Sequence, residues 1–442
     1  MGTLDPDAPT AEDLREAWPV LFRDERVDGF RTLGRAEADD FFLSLNSGQQ
    51  TELLLDLPGP ERRSWIRMLA PDDAADVIQR APSEQREGML VLLDDTTRRE
   101  VTALLAYAED DAGGLMNTRF ARVRPDMTVD EAIRYLRRQI SEQLELIYYA
   151  YVLDREQVLQ GVVSFRELLA APGSKQLRDL MRTDVVKAAE DMDQEALSRL
   201  FAESDLIALP IVDAAGRMKG IVTVDDIVDV VQEEATEDIQ KIGAVEALDA
   251  PYMQTAFFEL FKKRAGWLTV LFAGEMATFT AMSHFEQEIH QATVLSLFVP
   301  LIISSGGNSG SQASTLIVRA IGVGELRLRD WWRVLSRELA MGVALGALLG
   351  LVGLARVIIW PSKSDTDGYA EHYALIGMTV GVSVLGVVLW GTIAGSMLPF
   401  LLKRCRLDPA TASAPLVATL VDVTGLVIYF TVAVALLSGS LL

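Results

Sequence analysis

The stretch Pro415-Leu-Val-Ala-Thr-Leu-Val-Asp422-Val-Thr-Gly-Leu-Val-Ile-Tyr-Phe-Thr-Val-Ala-Val-Ala-Leu-Leu437 is long and apolar enough to cross a bilayer, yet it carries an aspartate. A charge inside a membrane helix costs several kcal/mol unless it has a partner or a task. No basic residue follows Arg406, so nothing in this helix neutralises Asp422. Two readings follow: an acidic site on a cation path, or a protonated aspartate that ties two helices together.

Working outward, four more segments reach the roughly 20 residues that a span requires. The five lie near 265–283, 293–319, 338–360, 373–402 and 410–440. Basic residues flank alternate connections: Lys262, Lys263 and Arg264 before the first, Arg327, Arg329, Arg333 and Arg337 between the second and third, and Lys403, Arg404 and Arg406 between the fourth and fifth. The positive-inside bias puts the N-terminal body in the cytosol and the C-terminus outside. The opening residues lack a cationic and apolar leader, so the spans themselves are expected to direct insertion.

The charge of this 442-residue chain is unevenly divided. Residues 1–250 carry 51 acidic and 28 basic side chains, a net of −23, and residues 251–442 carry 12 and 13, within a total of −22. An acidic body attracts cations and repels nucleic acid, and no basic stripe offers a DNA or RNA surface. The lone Cys405 excludes an internal disulfide framework and a multi-cysteine metal site. The three histidines form no HExxH, which disfavours an intramembrane zinc enzyme. Asp365 to Gly368 matches only the start of a calcium loop and reads as a turn.

Residues 1–113 read as short helices, with Pro60, Pro71 and Pro82 spaced 11 residues apart. That spacing fits a superhelical stack of single helices or an irregular bundle. Residues 116–235 hold an internal repeat. Val123–Arg138 with Tyr148–Leu169, and Ala188–Asp205 with Ala208–Val231, each give helix, strand, turn, strand and helix. Next, Asp225–Asp249 reads as a helix leading to the membrane. Its carboxylates at Asp226, Asp229, Glu233, Glu234, Glu237 and Asp238 fall mainly three and four residues apart, and only Lys241 compensates locally. Like charges at that spacing repel, and divalent cations or solvent would relieve them. Asp72, Asp73 and Asp76 form a second acidic group.

In the second span, Gly306, Gly307 and Gly310 stand beside Asn308, Ser309, Ser311, Gln312 and Thr315. Glycines alone suit close helix packing; the polar groups beside them suit a water-filled path. In the fifth span, Ala418 and Asp422 are four residues apart and share a face, so a backbone carbonyl and a carboxylate could meet one hydrated ion. Mg²⁺ sheds its waters reluctantly and is held by one or two carboxylates.

Four motifs carry a resemblance over nearly the whole chain: AEDDAGGLM (108–116), EATEDIQKIGAV (234–245), SGGNSGSQASTLIVRAI (305–321) and PLVATLVDVTGLVIY (415–429). The chain resembles the MgtE-type bacterial magnesium channels, and its repeat resembles a tandem CBS pair. The resemblance implies a multidomain integral membrane protein of the inner membrane. Its parts are a helical superhelix (1–113), two α+β CBS domains (114–178 and 179–235), a connecting helix with linker (236–262) and a five-helix transmembrane domain (263–442). It implies a homodimer with the pore between subunits, in which Asp422 and the Ala418 carbonyl bind hydrated Mg²⁺ and Gly307, Asn308, Ser311 and Thr315 line the path. It further implies closure by cytosolic Mg²⁺ held at Asp72, Asp76, Glu195, Asp226, Asp229, Glu234, Glu237, Asp238 and Asp408. Thr223 and Asp226 match the CBS turn that binds ATP or another adenine nucleotide, and also match a helix cap. An ion-coupled transporter of broader Mg²⁺, Mn²⁺ and Co²⁺ selectivity would use the same Asp422. Ser311 and Ala414 stand where the family pattern has, or can have, Asn, and Glu275 stands in the first span where a small residue is expected.

Overall fold

The computed structural model describes residues 10–18, 20–140, 146–248, 252–253, 255–359 and 369–438. The Asp365–Gly368 turn lies outside the described residues. The chain divides into two compact units, residues 1–234 and 235–442.

The first unit begins with eight short helices: α1 (Ala11–Ala17), α2 (Arg23–Thr32), α3 (Arg35–Leu43), α4 (Ser47–Asp56), α5 (Gly59–Ile66), α6 (Pro71–Arg80), α7 (Ser83–Leu90) and α8 (Asp95–Leu104). Pro60 and Pro71 sit in the first turns of α5 and α6, where a missing N–H costs nothing, and Pro82 caps α7. Packing runs α1 on α3, α2 on α4, α4 on α6 and α6 on α8. The even-numbered helices thus rest each on the next but one, as in a superhelical stack, with α5 and α7 packed on α4 and α6.

The repeat follows. Its first copy holds β1 (Phe120–Val123), α9 (Val129–Ile140), β2 (Leu146–Leu153), β3 (Leu159–Ser164) and α10 (Phe165–Ala170). The second holds β4 (Ala188–Ala189), α11 (Gln194–Ser204), β5 (Ala208–Val212), β6 (Met218–Thr223) and α12 (Val224–Ile242). In both sheets the first strand pairs parallel to the second and the second antiparallel to the third. Phe120, Tyr151, Leu153, Met218 and Ile221 pack the two sheets together. The helical stack and the second copy share one core, which includes Ile66, Ile78 and Leu104 from the stack and Phe201, Ile211 and Ile227 from the repeat.

The second unit takes the last turns of α12 and adds α13 (Phe257–His284), α14 (Glu286–Gln291), α15 (Val299–Gly322), α16 (Trp331–Ile359), α17 (Tyr369–Arg404) and α18 (Ala414–Leu437). The stretches 328–359, 372–404 and 414–437 are helices long and apolar enough to cross a membrane. α13 and α15, with 28 and 24 residues, have the length as well. The second expected span, 293–319, opens differently from a plain helix: Thr293–Phe298 is a 3-10 turn, and α15 starts beside Pro300, whose fixed φ suits a first turn. The fifth likewise enters through a 3-10 turn, Pro409–Thr411, before Pro415 sits in the first turn of α18.

Candidate functional site

Two regions gather the residues that the sequence singles out. The first lies in the membrane-type unit, where glycine controls how near the helices come. A Cβ on Gly395 would lie 2.0 Å from the Gly310 carbonyl oxygen, and one on Gly391 2.3 Å from that of Gly306. α15 and α17 therefore cross backbone to backbone, and no side chain fits between them. On the next face of α15, a Cβ on Gly307 would sit 3.6 Å from Ala418 Cβ and 4.0 Å from Asp422 Oδ1. The structure thus brings Gly307, Ala418 and Asp422 together, with Asp422 half-buried.

The polar residues of α15 divide by role. Ser309 Oγ and Thr392 Oγ1 share a buried hydrogen bond of 2.7 Å, and Ser314 Oγ donates to the Ala412 carbonyl at 2.6 Å. Those two serines tie helices together, as close packing alone would ask. Asn308, Gln312 and Thr315 are exposed, and their spacing puts them on one face. Ser311 Oγ donates to the Ala414 carbonyl at 3.1 Å, which joins α15 to the start of α18. Two of the three positions that depart from the family pattern, Ser311 and Ala414, are therefore in direct contact.

The second region is an acidic face in the first unit. Asp73 and Asp76 of α6 lie within electrostatic range of Asp225, Asp226 and Asp229 at the start of α12. Burial, then the charge of Asp73, pushes Asp76 up to about 8. Burial raises Asp226 to about 6 against the opposing effect of its Thr223 hydrogen bonds. Asp73 and Asp229 are raised by burial and by Asp225. Arg80 reaches over this face, 3.2 Å from Glu233 and 3.8 Å from Glu109. Asp73 and Asp225 are as central here as the residues named from sequence. Only the approach of α6 to α12, about 150 positions apart in the chain, makes them so.

The other expected sensor residues have partners of their own. Asp72 is buried and accepts from Asn117 Nδ2 at 3.0 Å. Glu195 pairs with Arg199 at 2.6 Å, and Glu234 accepts from Gln194 Nε2 at 2.6 Å. In the second unit, Asp238 lies beside Gly322 at the end of α15. Lys241 bridges Glu237 and Asp408, meeting the latter at 2.6 Å. Burial alone would lower the Lys241 pKa; the two carboxylates more than reverse that and raise it. Among the described residues, no three or more His, Cys, Asp or Glu side chains converge in a metal-holding arrangement. The acidic face offers hard oxygen donors without a closed shell, which suits a hydrated Mg²⁺ that keeps its waters.

The CBS turn carries a helix cap in both copies. Thr223 Oγ1 donates to Asp226 Oδ2 at 2.5 Å, with the Thr223 amide at 3.0 Å. Ser164 Oγ donates to Glu167 Oε2 at 2.7 Å, with its amide at 2.8 Å. The side-chain cap is thus built at Thr223 and Asp226, where a nucleotide contact is expected, and at the equivalent Ser164 and Glu167 of the first copy.

Comparison with known proteins places this geometry. Residues 299–432 match the MgtE family of divalent cation transporters, 10–110 its intracellular N domain, and 112–174 and 177–233 the CBS domain. The magnesium transporter MgtE of Thermus thermophilus is 40% identical over 97% of this chain and 93% of its own length. The chain belongs to the MgtE family. The MgtE of Bacillus subtilis is 31% identical, with 82% of this chain and 78% of that protein covered. A solved cytosolic domain of the Mg²⁺ channel MgtE in complex with ATP is 40% identical over 50% of this chain and 90% of that one, at a TM-score of 0.46. MgtE proteins are transporters rather than enzymes. The match to an inosine-5′-monophosphate dehydrogenase of Methanocaldococcus jannaschii covers 24% of the chain, its CBS part. This chain is accordingly a membrane protein with an N-terminal helical domain, a CBS pair and a C-terminal helical region.

Proposed function

We propose that this MgtE protein is a homodimeric Mg²⁺ channel of the bacterial inner membrane, with five spans and its N-terminal body in the cytosol. The observation that carries the reading is the approach of Gly307 to Ala418 and Asp422. A polar stripe beside a half-buried membrane carboxylate that has no basic partner among the described residues forms one wall of a path for a hydrated cation. A two-fold axis would double Asp422, giving the two carboxylates that hydrated Mg²⁺ favours. Asn308, Ser311 and Thr315 extend the wall along α15.

Gating belongs to the acidic residues. Without cations, Asp73 and Asp76 oppose Asp225, Asp226 and Asp229; binding of cytosolic Mg²⁺ offsets that repulsion and holds the closed arrangement. A ligand shifts such a balance only by its differential affinity for the two states, so several weak sites give a sharper switch than one. An adenine nucleotide at Thr223 and Asp226 is part of the proposal, and it would have to share or open the Thr223–Asp226 bond.

The test is Mg²⁺ flux into liposomes over a series of internal Mg²⁺ concentrations, with the intact chain and one lacking residues 1–250. The intact protein should close as internal Mg²⁺ enters the millimolar range, and the shortened one should stay open. Flux that requires a proton or sodium gradient would instead support a coupled transporter.

A further inference from the structure

α13 has no buried residue, and its packing is against α18 and the short α14. It meets α18 closely at one level, where a Cβ on Gly274 would lie 2.9 Å from Thr419 Cγ2. Glu275 is the next residue on α13, and Asp422 lies one turn beyond Thr419 on α18. The two carboxylates flank one helix crossing, near enough for their charges to interact. Glu275 and Thr419 also share the wall of a cavity of about 750 Å³ that is otherwise mostly apolar.

Arg264 lines the same cavity, but 11 residues along α13 place it about 16 Å from Glu275, beyond salt-bridge reach. No hydrogen bond or ion pair among the described residues engages Glu275, and its side chain is exposed. An ionised carboxylate facing hydrocarbon is strongly disfavoured, and a protonated one would still want a partner. A hydrated path past Asp422 would bring water, and with it a partner, to this level. A carboxylate on that path attracts a divalent ion about twice as strongly as a monovalent one at equal distance.

We propose that Glu275 is a second carboxylate of the Asp422 cation path, one that raises its affinity for hydrated divalent cations and its preference for them over Na⁺ and K⁺. The inference rests on the functional reading above. Glu275→Gln keeps the shape and removes the charge. In liposomes it should raise the half-saturating Mg²⁺ concentration roughly tenfold, lower Mg²⁺ selectivity over Na⁺, and leave inhibition by internal Mg²⁺ unchanged. Glu275→Asp should recover most of the affinity. Wild-type affinity and selectivity in Glu275→Gln would overturn the proposal. A second arm is independent of flux. Glu275→Cys in a Cys405→Ser background, which removes the exposed native thiol, should react with a cationic water-soluble methanethiosulfonate, and Mg²⁺ should slow the reaction. No reaction, or a rate indifferent to Mg²⁺, would also overturn it. Uptake by wild type and its loss in Asp422→Ala test the functional reading separately. If the wild type carries no Mg²⁺, that reading fails and the labelling arm decides Glu275 alone.

Discussion

The two units treat carboxylates in opposite ways. The first collects them: Asp73 and Asp76 on α6 stand before Asp225, Asp226 and Asp229 on α12, and burial with neighbouring charge makes Asp73, Asp76, Asp226 and Asp229 harder to ionise. The second has few, and sets Asp422 against Gly307 where α15 comes near α18. Crowded carboxylates bind ions together, and their repulsion is a force that an ion can remove. A carboxylate set among apolar helices acts on a passing ion with few other charges around it to compete. The first arrangement suits sensing, and the second suits selection.

The sharpest way to break this contrast is at Asp422. Asp422→Ala should abolish Mg²⁺ uptake in liposomes while the protein still assembles, since the change leaves the α15–α17 glycine contacts in place. Asp422→Asn should lose most of its divalent selectivity. Uptake at the wild-type rate by the alanine variant would end the assignment.

The next effect is expected at the acidic face. Changing Asp76, Asp226 and Asp229 to Asn removes repulsion without supplying the bonds that an ion would make between α6 and α12. The triple variant should therefore conduct at millimolar internal Mg²⁺, where the wild type is closed. Retention of wild-type inhibition would reduce these residues to a solvated surface.

The same face predicts how stability depends on pH. In the native state Asp76 and Asp226 keep their protons up to about 8 and about 6, whereas both release them near 3.8 when unfolded. Between those values the folded protein binds more protons, so stability falls as pH rises. Asp94 and Asp213 are held below their ordinary range by backbone hydrogen bonds, and so act below this window. Residues 1–234, chelated with EDTA, should unfold at lower urea at pH 8.5 than at pH 5.5, with Mg²⁺ restoring much of the loss at pH 8.5. A midpoint that rises with pH in EDTA would refute the acidic-face account.

Much of this was legible in the sequence, for local reasons. Asp422 lies in an apolar run, the prolines punctuate the stack at a fixed interval, and the repeat shows itself by alternation. The motifs around Gly306 and Asp422 are contiguous. What the sequence hides depends on distant elements meeting. Asp73 gains its place only when α6 faces α12, whereas neighbouring Asp72 turns into the core toward Asn117. Ser311 and Ala414 read as two separate departures from a pattern, yet the hydroxyl of one donates to the carbonyl of the other. The serines of α15 looked alike as oxygens in a span; only the partners at Thr392 and Ala412 distinguish packing residues from the exposed stripe.

Lys241 sharpens the contrast with the smallest effect. It is a built-in cation between Glu237 at the end of α12 and Asp408 before α18, and so fastens α12 to the start of α18 without metal. Two consequences oppose each other in Lys241→Met. Loss of the tie loosens the closed arrangement when Mg²⁺ is scarce. Removal of the ammonium also frees two carboxylates, which would then take Mg²⁺ more readily. The pair is partly exposed, with about a third of each side chain reaching solvent. A bridge of that kind contributes up to about 1 kcal/mol, so the tie can shift the internal Mg²⁺ needed for closure by only about two- to fivefold. We expect more flux than wild type at micromolar internal Mg²⁺, a steeper dependence on concentration, and full closure at several millimolar, because the ion then replaces the ammonium. Flux measured across that range decides it. A variant that matches wild type at every concentration would mean that the tie is a surface pair with no part in gating.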